Sequence, residues 1–128
     1  MTNLEIVKRL YVAFAAKDRE TILKLFSPDI EWFQSEGFPG GGRHVGAESV
    51  LKDVFAKFRV DWKSWEASVS EWIDAGETII ALGEYRGTHQ RTGKPMTATF
   101  AHVYRIANGR IKKFQQFTDT QRIWEAVR

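Results

Sequence analysis

Apolar residues near the start of the chain recur at helical spacing. Ile6, Val7, Leu10, Tyr11 and Phe14 share one stripe, and Thr2 followed three places later by Glu5 has the form of a capping box. The spacing predicts a helix from about Asn3 to Ala16. Asp18 can cap a second, short helix with the stripe Ile22, Leu25 and Phe26, which Ser27-Pro28-Asp29 would end as a turn. Ile30 to Ser35 reads as a strand. Val50, Leu51, Val54, Phe55 and Phe58 mark a third helix, from about Ala47 to Phe58. After it the period changes to alternation, with Trp65, Ala67, Val69 and Ile73 on one face of a long strand. Further strands follow over Thr78 to Gln90 and on either side of Asn108-Gly109, and Thr120 to Val127 reads as a closing helix. Helices first and a meander after them predict an α+β fold, with helices covering one face of a curved sheet.

Asn108-Gly109 between two alternating runs is a strong hairpin signal, because a two-residue type I′ turn needs positive φ at both central positions. If these two residues are the whole loop, Ile106 faces Ile111, Tyr104 faces Lys113, His102 faces Gln115, Phe100 faces Phe117 and Ala98 faces Asp119, all on one side. The other side would carry Val103, Arg105, Lys112, Phe114 and Gln116. Both sides are amphipathic, which suits a pocket on the concave face and a partner subunit on the convex one. In this register His102 and Asp119 lie about 13 Å apart along a flat strand, at roughly 3.4 Å per residue, so a ligand would lie between them unless a bulge or curvature shortens the gap. Two plainer roles compete. Asp119 stands where the last helix needs an N-cap, with Thr118 and Gln121 as a rival capping pattern, and a single histidine on a half-apolar strand is commonly a satisfied core residue.

Composition narrows the chemistry. The 128 residues suit one domain spanning 1–128, and the nine phenylalanines, five tryptophans and three tyrosines could line a cavity as well as fill a core. The formal charge of +3 is spread along the chain without a like-charged run, which argues against nucleic acid as a partner. With no cysteine there is no disulfide, thiolate ligand or thiol nucleophile. His44, His89 and His102 stand singly, without HxH or HExxH spacing, so no metal is expected. The glycine-rich stretch Glu36 to Gly46 lacks the endings of phosphate-binding loops and is expected to be a mobile loop able to act as a lid. No segment resembles a signal peptide or a membrane span, so a cytoplasmic protein is expected, without a membrane partner.

The segments "YVAFAAKDRETILKLFSPDIEW", "VGAESVLKDVF", "RGTHQRTGKP" and "HVYRIANGRIKKFQQFTD" together resemble the SnoaL-like polyketide cyclase and ketosteroid isomerase-related branch of the nuclear transport factor 2-like superfamily. The resemblance covers nearly the whole chain. It implies a cone-shaped α+β barrel with a pocket between helices and sheet, dimerisation through the sheet, no cofactor, and a small hydrophobic ligand or substrate. It places His102 where ketosteroid isomerases hold a protonated aspartic acid that donates to the substrate oxygen. It places Gln34 at their general base, which a carboxamide cannot replace, so steroid isomerisation is not implied. Tyr11 falls one residue, about 100° of helix, from their oxyanion tyrosine. In SnoaL-like members an acid at the end of the last strand lines the pocket, and Asp119 matches it; Trp32 matches an aromatic pocket position, though it would serve equally as a core tryptophan. The resulting expectation is an acid/base enzyme for an apolar carbonyl or polyketide-like compound. Asp119 would move a proton and His102 polarise the oxygen, with Tyr11, Phe14, Trp32, Gln34, Phe100, Gln115 and Phe117 against the ligand. A non-catalytic binding or dimerisation module of the same fold is the alternative.

Overall fold

The computed structural model describes residues 1–128. Helix α1 (Asn3–Ala15) starts at the capping box: the Glu5 amide donates to Thr2 Oγ1 at 3.1 Å while the Glu5 carboxylate reaches back to the Thr2 amide. Its buried stripe is Ile6, Val7, Leu10 and Ala13. Helix α2 (Arg19–Leu25) is capped by Asp18, whose carboxylate accepts from the Thr21 amide. Strand β1 (Phe26–Gln34) begins earlier than the alternation suggested. Ser27-Pro28-Asp29 lies inside it as an irregular stretch, where the pairing shifts between Phe26 and Glu31. Proline has no N–H for a ladder, which accounts for an interruption there.

The expected glycine-rich loop is partly a strand. Gly42–Val45 forms β2, an edge strand antiparallel to β1, and only the residues before it stay irregular. Phe38 in that irregular part is buried, and the Trp124 indole donates to the Gly37 carbonyl at 2.6 Å, so the segment is pinned to the last helix. Helix α3 (Ala47–Val50) runs into a π-helical segment (Leu51–Phe55) and then α4 (Ala56–Asp61).

The rest is a meander: β3 (Trp62–Ala75), β4 (Thr78–His89), β5 (Pro95–Ala107), β6 (Arg110–Thr118), then α5 (Thr120–Val127). The sheet order is β2-β1-β6-β5-β4-β3, with β1 and β6 parallel and every other pair antiparallel. Its edges, β2 and β3, do not pair, so the six strands form a curved open sheet. A core of 28 buried apolar residues joins its concave face to the helices. No helix is long and apolar enough to cross a membrane.

Two bulges correct the expected strand faces. The Asn108-Gly109 turn has φ of 53° and 73°, and Ala107 pairs with Arg110 and Ile106 with Ile111 as expected. Beyond Ile111 the register shifts by one: Arg105 pairs with Lys113, Tyr104 with Phe114, His102 with Gln116 and Phe100 with Thr118. Lys112 is the extra residue, and it turns every later β6 side chain to the other face. Phe114 and Gln116 therefore point into the core, while Gln115 and Phe117 lie exposed. A second shift, between Val69 and Glu71, does the same in β3, so Trp72 packs inward against Tyr11 and Ile73 turns outward.

Candidate functional site

The concave face places one histidine among three tyrosines. Ala81 and Gln116 flank His102 on the neighbouring strands, and all three are buried. Phe100 stacks beneath the imidazole at 3.9 Å between ring centroids and an angle of 15°. Gly83 makes room for that ring, since a Cβ there would stand 2.8 Å from the Phe100 ring edge. Tyr11 comes from α1, Tyr85 from β4 and Tyr104 from β5.

Their hydroxyls form a chain. Tyr104 Oη donates to Tyr11 Oη at 2.8 Å. Tyr11 Oη lies 2.6 Å from His102 Nδ1, and Tyr85 Oη lies 2.5 Å from His102 Nε2. Gln116 ends the chain, its Nε2 donating to Tyr85 Oη at 2.9 Å. The Gln116 orientation follows from the donors around it: the Ser35 amide can only donate, and it meets Gln116 Oε1 at 3.1 Å. The same logic fixes Gln34. The Trp32 indole N–H donates to Gln34 Oε1 at 2.8 Å, which leaves the Gln34 amide nitrogen with no protein acceptor. Every side-chain polar atom wholly closed off from solvent is paired, so that nitrogen keeps some access to open space.

Burial sets the protonation states. Desolvation pulls the His102 pKa down to about 3, so the imidazole is neutral at neutral pH. Burial likewise pushes all three phenols up, reinforced at Tyr11 by the Tyr104 and Tyr85 hydroxyls and only partly offset by the hydrogen bonds of Tyr104 with Tyr11 and of Tyr85 with Gln116, so each keeps its proton.

These groups edge a cavity of about 50 Å³, room for a water molecule or so in its present shape. Leu10, Phe14, Phe55, Phe58, Trp65 and Phe114 supply much of the apolar wall, and Tyr11, Gln34, Tyr85, His102 and Gln116 the polar groups. No aspartate or glutamate lines it. A larger groove of about 680 Å³ lies outside, sharing Tyr11, Phe14, Phe58, Trp65 and Ala67 with the cavity. The groove is roomier, but its charged side chains are all exposed, whereas the buried polar groups meet at the small interior cavity. No three His, Asp or Glu side chains converge anywhere to hold a metal.

Of the expected site residues, the fold brings Tyr11, Phe14, Trp32, Gln34 and His102 to the cavity. Phe100 supports His102 from behind. Three stand elsewhere. Gln115 and Phe117 are on the convex face because of the Lys112 bulge. Asp119 is exposed at the N-cap of α5, accepting from the Arg122 amide at 3.3 Å. The plainer of its two readings fits this position, because an N-cap acid satisfies an otherwise orphaned helix amide. Tyr85, Tyr104 and Gln116 were not among the expected site residues. Tyr104 shares the alternation of His102 and could have been found from it, and Tyr85 falls on the same face of the preceding hairpin.

The helices on a curved sheet, with a cavity between them, define a protein of nuclear transport factor 2-like architecture. Residues 7–114 match the SnoaL-like domain, and the chain belongs to that family. No curated protein matches. A nuclear transport factor 2-like protein from Burkholderia thailandensis E264 is similar over 100% of this chain and 98% of its own, with 34% identity and a TM-score of 0.95. TerC, crystallised with polyporic acid, is 26% identical over 98% of this chain and 97% of its own, with a TM-score of 0.88. IdmH, a proposed polyketide cyclase from Streptomyces antibioticus, is 22% identical over 96% of each chain with a TM-score of 0.80, a likeness of fold alone.

Proposed function

We propose that the protein binds a small, mostly apolar carbonyl compound of polyketide-like character in the interior cavity and promotes cofactor-free proton transfer on it, as in cyclisation or isomerisation. The observation that carries this reading is the Tyr11–His102–Tyr85 chain at the wall of an apolar cavity. Neutral phenol donors in a water-poor site stabilise a carbonyl oxygen as enolate charge grows on it. The Gln34 amide N–H is a further donor for a second ligand oxygen. The missing carboxylate restricts the substrate: without a strong base, the carbon acid must itself be easily enolised, as the carbon between two carbonyls is. Membership of the SnoaL-like family and the polyporic acid held by TerC support a carbonyl-bearing ligand.

Entry requires the shared wall of Phe14, Phe58 and Trp65 to turn aside, because the cavity is smaller than any such ligand. A panel of aryl 1,3-diketones and aryl ketones, screened by thermal shift and then analysed for product, tests the reading. The expected result is a rise in Tm with the diketones and their slow conversion, both reduced by Gln34→Leu. A panel that leaves Tm unchanged throughout overturns it. The small cavity and the lack of a carboxylate favour one alternative, a module that holds its ligand unchanged; a diketone that raises Tm and is recovered intact selects that alternative.

The convex face supports a proposed homodimer. Ile80 and Val103 pair across one row and Leu82, Ala101 and Phe117 across the next, giving an apolar patch that a second copy could cover. Light scattering should give twice the chain mass for the natural sequence and the single mass for Phe117→Glu; a monomer at micromolar concentration for the natural sequence would rule the dimer out.

A further inference from the structure

The hydrogen count of the buried chain does not close. Its four contacts are Tyr104 to Tyr11, Tyr11 to His102 Nδ1, His102 Nε2 to Tyr85, and Gln116 to Tyr85. Tyr104 and Gln116 each supply the hydrogen of their own contact. The two contacts to the imidazole need one hydrogen each, yet three are at hand: the Tyr11 hydroxyl, the Tyr85 hydroxyl and the single N–H of neutral histidine. One phenol hydrogen is always left over. With the proton on Nε2, Tyr11 donates to Nδ1 and the Tyr85 hydrogen is free. With the proton on Nδ1, Tyr85 donates to Nε2 and the Tyr11 hydrogen is free. Tyr11 and Tyr85 both line the cavity, so the spare hydrogen belongs to a cavity-lining phenol in either tautomer.

We propose that Tyr11, His102 and Tyr85 form a charge-neutral proton relay, which takes a proton from one atom of an enolisable ligand at Tyr11 and delivers one to a ligand oxygen at Tyr85. The step balances as a single cycle. Tyr85 gives its free hydrogen to the ligand oxygen and receives the Nε2 hydrogen. Nδ1 takes the hydrogen of Tyr11, and Tyr11 takes the proton leaving the ligand. The ligand is isomerised, the imidazole has exchanged one neutral tautomer for the other, and no charge has been created in the apolar cavity. Water admitted as the product leaves resets the relay by the same transfers reversed, taking the free Tyr11 hydrogen and returning one to Tyr85. The relay explains how a site without a carboxylate can catalyse proton transfer. His102 acts through the two phenols and is a positioning and relay residue; Tyr11 and Tyr85 are the groups that meet the ligand.

The inference rests on the reading above that a carbonyl ligand occupies this cavity, and its test separates the two. The probe is 1-phenylbutane-1,3-dione, with deuterium uptake followed by NMR in D2O and binding by quenching of tryptophan fluorescence. The natural protein should bind it and accelerate exchange. Tyr11→Phe, Tyr85→Phe and His102→Gln should each slow exchange by about 100-fold or more while still binding, general acid–base groups being worth that much. Glutamine can bridge the two phenols but cannot tautomerise. The Tyr11→Phe/Tyr85→Phe double variant should be no slower than either single one, because the groups act as a unit. A single variant that keeps the natural rate, or a double variant slower by the product of both effects, overturns the relay. Binding without accelerated exchange by the natural protein overturns the relay and leaves ligand binding standing; no binding overturns both. A measurement free of variants is the 15N spectrum of the His102 ring. Its two nitrogen signals should shift between tautomers when the probe binds, and a ring fixed in one tautomer with and without probe refutes the proposal.

Discussion

His102 and Asp119 come from the same hairpin region and both have the chemistry of catalytic groups, yet they finish in opposite surroundings. The imidazole is stacked on Phe100, bonded at both nitrogens and neutral. The carboxylate sits in water and holds the first turn of α5. One inserted residue, Lys112, separates the face that carries Phe114 and Gln116 inward from the face that carries Gln115 and Phe117 outward. The difference teaches that a side chain's chemistry nominates it for a site, while register alone admits it.

Inserting one residue between Lys113 and Phe114 should break the comparison most severely. The added residue would take the place of Phe114, drive Gln115 toward the core and expel Phe114 and Gln116, at a cost above about 4 kcal/mol, the range of changes that bury unpaired polar groups. Little folded protein is expected, and a cooperative denaturant transition near the natural midpoint would show that register does not decide which β6 side chains are buried. Next in size is the contrast between two phenylalanines three residues apart on β6. Phe114→Ala should cost about 3–5 kcal/mol through lost burial and a cavity beside Trp32, which stacks on it at 3.7 Å. Phe117→Ala should change the stability of the folded chain by less than about 0.5 kcal/mol, as exposed positions do. Urea titrations of the pair decide this, and equal losses would contradict the assigned faces.

His102 should also give stability a pH dependence. Its folded pKa of about 3 lies below the value of about 6.5 expected in the unfolded chain, so the unfolded state binds the extra proton first. Its contribution is complete above pH ~6.5 and is lost as pH falls toward 3, by about 1.4 kcal/mol per pH unit. Thermal melts of the natural protein and His102→Gln between pH 7.5 and 4.5 should differ in slope by this amount; parallel slopes would show that His102 is not held neutral. The smallest effect concerns the cap. Asp119→Ala should destabilise by about 1 kcal/mol and Asp119→Asn by much less, since asparagine caps equally well. Neither should alter turnover of any substrate identified, and a loss of turnover in the stable Asn variant would return Asp119 to the site.

Much of the fold was open to reading from the pattern of residues. The capping box at Thr2 and Glu5, the stripes of α1 and α2, the meander and the Asn108-Gly109 turn each depend on neighbours within a few positions, so local sequence suffices for them. The tight turn even fixed its first two pairs correctly. The bulges at Ser70 and Lys112 were not legible, because a bulge is selected by how the curved sheet meets the helices, and its one-residue slip leaves no composition signal. Edge strand β2 was hidden for a related reason: four residues among glycines become a strand only because β1 offers an open edge.

The sequence by itself therefore determined the α+β order, the inventory of aromatic and polar groups and the absence of thiol chemistry. Tertiary structure decided which of those groups meet. Tyr11, Tyr85, Tyr104, His102 and Gln116 are drawn from four elements, and they form one network because strand pairing and helix packing bring them within hydrogen-bond reach in a space shielded from bulk water. Such convergence is a property of three-dimensional register, which alternation along one strand cannot specify.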